Sequence, residues 1–197
     1  MKTLFFLLTV ISICITSCIG QSNTQQNKIY NKDFKWSITI PAGFDTVNAE
    51  KWNLMQNRGA DAVEKTYGEK PVNRAKTIFV FLNDKVNYFE SNYQLYDITK
   101  DGDYLETCKD VNNILYGTLE SQMKGAKIDS SSSKTVISGL VFQTFTLGIT
   151  LPNKMVLNMY SYSRLFGKKE FTVNITSVDR QKEKELLDAW LNSRFEK

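Results

Sequence analysis

The chain of 197 residues contains no histidine, and this absence removes several kinds of active site. Ser-His-Asp and Cys-His nucleophile systems, His-ligated zinc and haem held by a proximal histidine all require an imidazole. The sequence also lacks a Walker motif and a dinucleotide-binding motif. We therefore expect a protein that is not an enzyme, with no catalytic residues, no cofactor and no metal site.

Long basic segments are also missing. The net charge is +4, but 25 Lys and Arg residues are interleaved with 21 Asp and Glu residues along the chain. Proteins that bind nucleic acids usually concentrate their basic residues on one face or stripe. The charge pattern therefore predicts no nucleic-acid partner.

No hydrophobic run is long enough for a permanent transmembrane helix, which needs about 20 residues. The apolar run from Leu4 to Ile15 follows Lys2 and has the form of a secretory signal. It ends in Ile15-Thr16-Ser17-Cys18, which resembles a bacterial lipobox. The resemblance implies lipidation of Cys18 by a diacylglyceryl thioether and an N-acyl group, so that membrane lipid is a partner of the chain. Ordinary cleavage after Gly20, leaving Gln21 as the N-terminus, is the alternative.

These features divide the chain into a signal peptide (1–17), a polar lipid-anchored tether (18–29) and a folded domain (30–197). By resemblance to lipoprotein sorting rules, the lack of Asp beside Cys18 argues against inner-membrane retention. The lack of a following acidic run argues against surface export. We therefore expect the protein in the cell envelope, on the periplasmic face of the outer membrane.

Cysteine is scarce, with three residues in the chain. Cys14 leaves with the signal peptide, and Cys18 is either acylated or removed. Cys108 is then the one thiol left in the folded domain, so no intrachain disulfide can form. We expect Cys108 to be a core residue, because it lies on an apolar helical stripe with Leu105, Val111 and Leu115.

Periodicity predicts an α+β domain. Alternating apolar residues indicate strands over about 34–40, 77–82, 87–96, 127–137, 140–151, 154–165 and 170–178. Helical spacing indicates helices over about 48–67, 103–124 and from 179 to 195, the second of which has Asp103 and Glu106 at capping-box spacing. The order β-α-β-β-α-β-β-β-β-α predicts a single antiparallel sheet of six to seven strands covered by helices.

Several segments together resemble the PsbP-like family, which includes the extrinsic photosystem II protein and a Ran-binding nuclear import regulator. They are the segment from Phe34 to Phe44, Ser138-Gly139-Leu140, the pair Tyr162 and Phe171, and the segment from Trp190 to Phe195. The helix at 48–67 and the strand pair near 88–96 fit small bacterial lipoproteins of the Bacteroidota type better than the plant protein. Family members bind proteins or ions without a shared active site, so the resemblance implies no catalytic residues.

Three site candidates remain. Tyr88 and Tyr96 fall on the face of their strand opposite Phe89, Tyr93 and Leu95, which we expect to be core, so they are the candidates for a ligand-binding surface. The segment 97–103 has acidic residues at a spacing reminiscent of a calcium loop, although helix capping explains the same acids. The serines at 130–133 have no neighbouring base or phosphate-binding loop and are typical of an exposed strand edge.

The function we expect is a membrane-anchored, non-catalytic binding or assembly module with an unidentified protein partner. The alternative is a soluble exported enzyme that uses carboxylates or a tyrosine. A deep pocket with two or more convergent acids would favour the enzyme.

Overall fold

The structure is a computed structural model that describes residues 27–48, 50, 52, 61, 63–69 and 74–196. The predicted signal peptide, Cys14, Cys18 and the tether up to residue 26 lie outside these residues. No helix in the described part of the chain is long and apolar enough to cross a membrane. The strands with both ends in these ranges are β1 (Lys28–Asn31), β2 (Trp36–Thr39), β3 (Asp45–Thr46), β4 (Lys76–Asp84), β5 (Asn87–Leu95), β6 (Lys127–Ile137), β7 (Leu140–Thr150), β8 (Val156–Phe166), β9 (Lys169–Ser177) and β10 (Arg194–Phe195). The helices are α1 (Ile98–Asp101), α2 (Tyr104–Gln122) and α3 (Arg180–Leu191). Residues 50, 52, 61 and 63–67 are also helical, in the segment predicted as the first helix.

The predicted α+β fold is confirmed. Seven strands form an antiparallel sheet in the order β3-β4-β5-β9-β8-β7-β6. The four strands from β6 to β9 form the expected meander, because each turns back beside its predecessor through a short connection. The meander joins the β4–β5 hairpin through the pairing of β5 with β9.

The expectation of one sheet missed a second, smaller sheet. β2 lies between β1 and β10 in this three-stranded sheet, so the first predicted strand does not join the large sheet. β1 and β10 are four and two residues long. Segments this short contain too few residues for an alternation of apolar and polar side chains to predict a strand. In addition, β1 begins at Lys28, within the predicted tether.

The main core lies between one face of the large sheet and a cover made of α3 and the small sheet. Trp36 and Trp190 are both fully buried, with ring centroids 5.9 Å apart. Phe171 lies 5.1 Å from Trp36 and 6.2 Å from Trp190, and Phe195 lies 6.0 Å from Trp36. The segments that resemble the PsbP-like family thus meet in one aromatic cluster, although they are spread over the whole domain. Their common role is packing.

The opposite face of the large sheet lies beneath α2 and mixes polar with apolar residues. Its buried residues include Glu90 and Asn92 as well as Phe145 and Leu147, all less than a tenth exposed. The helix itself was predicted correctly, and Asp103 caps it by accepting hydrogen bonds from the backbone N–H groups of Leu105 and Glu106. The prediction that its apolar stripe is buried is correct only in part, since Leu105 and Val111 are exposed whereas Cys108 and Leu115 are partly buried. A single helix over this face leaves part of its stripe uncovered.

Candidate binding cleft

The cleft lies where β5 ends, beside the β8–β9 hairpin and the short helix α1. Its volume is about 430 Å³, within the range of about 300–1,000 Å³ typical of small-ligand sites. It is lined by residues from four separate segments of the chain: Arg74, Lys76, Tyr93, Gln94, Leu95, Tyr96, Asp97, Lys100, Asp101 and Lys168. The hairpin is joined to the end of β5 by a hydrogen bond from the Tyr96 backbone N–H to the carbonyl oxygen of Lys168, at 2.8 Å.

One wall is built by the local capping of α1. The Asp97 carboxylate accepts hydrogen bonds from the backbone N–H of Thr99 at 3.1 Å and from its hydroxyl at 2.8 Å. The Asp101 carboxylate in turn accepts from the backbone N–H of Asp97 at 2.7 Å. Both acids of the cleft are therefore occupied in holding α1 in place. Their orientation is set by backbone groups of the same turn.

Basic side chains outnumber the acids. The cleft has four cations against two carboxylates. Arg74 lies 3.7 Å from Asp101, and Lys100 lies 3.9 Å from Asp97, so two of the cations are partly balanced. The hydrogen bonds from Thr99, together with the nearby charge of Lys168, lower the pKa of Asp97. The Lys76 side chain forms no ion pair with any described residue, so the cleft retains an excess of positive charge.

The other wall is apolar. Leu95 is 68% exposed beside Tyr93, which also lines the cleft. Lys169 lies over the Tyr93 ring, with its Nζ 5.2 Å from the ring centroid, and 3.7 Å from Asp33. Cation–π contact and an ion pair therefore fix one further cation at the rim. A ligand with an anionic group next to an apolar group would complement this arrangement.

The structure does not support the expected exposure of Tyr96. Its side chain is 5% exposed, and its hydroxyl donates to the carbonyl oxygen of Gly102 at 2.8 Å. The same hydroxyl lies 3.0 Å from Thr107 Oγ1. Tyr96 lies on the face that strand alternation predicts, opposite Phe89, but α1 and α2 cover this face, and the ring of Tyr96 lies 5.5 Å from that of Tyr104. Leu95, expected in the core, keeps the alternation of β5 but lies at the end of the strand, beyond the residues that cover its face, and projects into solvent.

Tyr88 lies at the other end of β5, about 26 Å from Tyr96 at the usual strand rise. It is half-buried, and its ring centroid lies 5.0 Å from that of Trp52. Burial raises the pKa of its hydroxyl. The two predicted tyrosines therefore do not form one aromatic surface.

The remaining sequence candidates have structural explanations. Asp97 and Asp103 cap α1 and α2, as the capping interpretation of the 97–103 segment predicted. Cys108 is half-buried, with its Sγ 3.6 Å from Ser163 Oγ, and burial raises its thiol pKa. The serines at 130–133 lie on β6, an edge strand, and are exposed as predicted. Within the described ranges, no group of three or more Cys, Asp and Glu side chains could hold a metal ion.

Four lining residues of this cleft fell within the sequence candidates: Tyr96, predicted as part of a ligand surface, and Asp97, Lys100 and Asp101 of the 97–103 segment. Arg74, Lys76 and Lys168 had no local pattern that predicted a site. Their proximity depends on the pairing of β5 with β4 and β9, which a single sequence does not state.

Comparison with known proteins bears on the fold. No protein-family model matches the chain, and no curated protein matches it. Among solved structures, it is similar to the solution structure of cyanobacterial PsbP (CyanoP) from Synechocystis sp. PCC 6803, with a TM-score of 0.55 and 12% sequence identity. The match covers 92% of this chain and 99% of CyanoP. A structural similarity at so low a sequence identity shows a shared fold and nothing about function. The chain has a PsbP-like α+β fold.

Proposed function

We propose that this protein is a lipid-anchored, non-catalytic binding module of the cell envelope, which holds an acidic segment of a protein partner in the cleft at the end of β5. The observation that carries this proposal is the cleft itself, where four basic side chains surround the exposed Leu95. Such a surface attracts acidic groups over a distance and buries an apolar neighbour on contact.

The position of the cleft relative to the predicted anchor supports a partner in the surrounding compartment. The backbone carbonyl oxygen of Asn27, within the predicted tether, accepts a hydrogen bond from the backbone N–H of Ile40 at 3.0 Å, just after the end of β2. Phe34, just before the start of β2, lies against Tyr93 at the cleft, with ring centroids 5.6 Å apart. Phe34 and Ile40 are six residue steps apart with β2 between them, which corresponds to up to about 20 Å along a strand. The tether therefore enters at the end of the domain away from the cleft.

The placement of two acids on the large sheet argues against the carboxylate enzyme. Glu90, which is buried, and Glu170, which is half-buried, both lie on the face beneath α2. Glu90 pairs with Asn174, four residues from Glu170 on β9. Four residues of strand correspond to about 13 Å, beyond the separation of about 5–9.5 Å between the acids of a glycoside hydrolase. Each acid instead accepts a hydrogen bond within the fold, Glu90 from Trp52 Nε1 at 2.8 Å and Glu170 from Gln94 Nε2 at 2.7 Å.

The anchor is tested by intact-mass measurement of the full chain extracted from native membranes. We expect a chain that begins at Cys18 and carries three acyl groups, and we expect Cys18→Ser to abolish the added mass. A soluble species that begins at Gln21 would contradict the anchor while leaving the cleft proposal open.

The cleft is tested by photo-crosslinking in intact cells, with a photoreactive amino acid at Leu95 in the full chain. We expect one reproducible crosslinked protein, whose yield falls at high salt. Lys168→Glu should reduce this crosslink at least about tenfold, because it reverses a charge in the cleft. Lys154→Glu makes the same change in net charge at the opposite end of β8 and should leave the crosslink unchanged. The same probe at Val156, also exposed and outside the cleft, is the matched position control.

Equal sensitivity to Lys168→Glu and Lys154→Glu would mean that net charge, and not the cleft, governs binding. A crosslink of equal yield at Leu95 and Val156 would also contradict the proposed site. Crosslinks to lipid alone would show that the cleft contacts the membrane surface and would exclude the protein-partner proposal.

A further inference from the structure

β6 forms one edge of the large sheet and is unusually open. Its eleven residues pair with β7 without a register shift, from Lys127 opposite Thr150 to Ile137 opposite Leu140. Within the described part of the chain, no strand pairs with its other side. An open edge presents a row of unpaired backbone N–H and C=O groups, which can serve as a template for another strand.

The usual protections of an edge strand are few here. β6 contains no proline and no bulge, and the other edge of the same sheet is β3, only two residues long. Three charged side chains interrupt β6, those of Lys127, Asp129 and Lys134. Near its end Val136 is 66% exposed, an apolar side chain that nothing in the described structure covers. The length, regularity and exposed valine favour an added strand.

The hairpin determines which backbone groups point outward. Ser138 and Gly139 have φ values of 52° and 80°, as a two-residue type I′ turn requires. In such a hairpin the residues that flank the turn, Ile137 and Leu140, hydrogen-bond to each other through their backbone groups. Every second residue of β6, counted back from Ile137, bonds to its partner on β7 in the same way. The residues between them turn their N–H and C=O groups to the open side. They are Ile128, Ser130, Ser132, Lys134 and Val136.

We propose that this edge pairs with β6 of a second copy of the same chain, antiparallel, about a two-fold axis through Ser132. A two-fold axis perpendicular to the sheet brings the same patch of both copies together and keeps equivalent faces on the same side. The register centred on Ser132 sets Ser130 opposite Lys134 and Ile128 opposite Val136. The result is one continuous sheet with seven strands from each copy.

The side chains favour this register over its neighbours. Centring on Lys134 would place two lysines directly opposite each other, which destabilises a strand pair. Centring on Ser131 or Ser133 would leave Ile128 and Val136 unpaired with each other. Only the register centred on Ser132 joins these two apolar residues, and it does so twice because of the symmetry. It also places no like charges directly opposite each other.

Cysteine crosslinking of the full chain in intact cells tests the register. Directly opposite residues of a hydrogen-bonded pair have Cα atoms about 5.5 Å apart, within reach of a disulfide. Ser132→Cys should therefore form a covalent dimer under mild oxidation. Ser130→Cys is the matched control, because the two copies of residue 130 would lie about 14 Å apart, beyond any disulfide. Equal dimer yields from the two variants, or a dimer from Ser130→Cys alone, would overturn the proposed register.

Sedimentation of the purified full chain provides a second measurement that needs no oxidation. The unsubstituted protein should sediment as a dimer. Ser132→Lys should shift it to a monomer with unchanged circular dichroism, since it places two like charges at the axis on a residue exposed in the single chain. Ser121→Lys, on the exposed surface of α2, makes the same charge change and should remain dimeric. A monomeric unsubstituted protein, or a dimer that persists in Ser132→Lys, would refute the proposal.

Discussion

Replacement of Trp190 by alanine tests the packing of α3 against both sheets. Trp190 is 0% exposed, and its ring lies 5.2 Å from that of Phe142 and 5.6 Å from that of Tyr162. A buried Trp removes up to about 250 Å² from water, worth about 6 kcal/mol at 25 cal/mol per Å². Alanine retains part of this burial, so we expect a loss of about 4 kcal/mol in the free energy of unfolding.

Urea unfolding followed by far-ultraviolet circular dichroism measures this loss. With an m-value of about 2 kcal/mol per molar urea, a loss of about 4 kcal/mol lowers the midpoint by about 2 M. Leu191→Ala is the matched control, because Leu191 is the next residue of the same helix and is 46% exposed. Its midpoint should fall by less than about 0.5 M. Similar shifts for the two variants would refute the inward orientation of Trp190 and the packing described for α3.

Three experiments test individual polar groups of the domain. Burial raises the pKa of Glu170 above its usual 4.5, so the native state gains stability as pH falls from above the raised pKa towards 4.5. Glu170→Gln should therefore be more stable than the unsubstituted protein at pH 7.5 in urea unfolding, with a gain that disappears by pH 4.5; a gain independent of pH would contradict this. Burial also raises the pKa of the Cys108 thiol, so its reaction with a thiol reagent should be more than about tenfold slower in the native protein than in urea, and equal rates would contradict this. Tyr96→Phe loses the hydrogen bonds to Gly102 and Thr107 and should cost about 1 kcal/mol in urea unfolding. It should leave the Leu95 crosslink unchanged, and loss of that crosslink would assign Tyr96 a direct role in binding.

Local sequence patterns were sufficient to predict most of the secondary structure. The alternation of Phe171, Val173 and Ile175 predicted β9, and all three residues are fully buried. Asp103 predicted the start of α2 because a capping side chain acts on backbone groups only two and three residues away. Such interactions are complete within a few residues, so they can be recognised in a single chain.

Predictions of burial failed where an element ends or has only a thin cover. Leu95 continues the alternation of β5 but projects beyond the core, and Tyr96 turns inward to bind Gly102. Leu105 and Val111 have helical spacing, yet the sheet face beneath α2 leaves both of them exposed. Periodicity states which residues share a face, but it does not state what lies opposite that face.

The residues alone were enough to predict the α+β fold and the exposed serine strand at 130–133, both of which the structure confirms. Export and lipidation of Cys18 stay predictions from the sequence. Each of these follows from neighbouring residues or from a simple repeat. The cleft and the open edge of β6 were decided by the strand order, since Arg74, Lys100 and Lys168 meet only when β5 pairs with β4 and β9. The pairing of strands that are distant in the sequence depends on the burial of the whole core. This pairing forms both the cleft at the end of β5 and the open edge at β6.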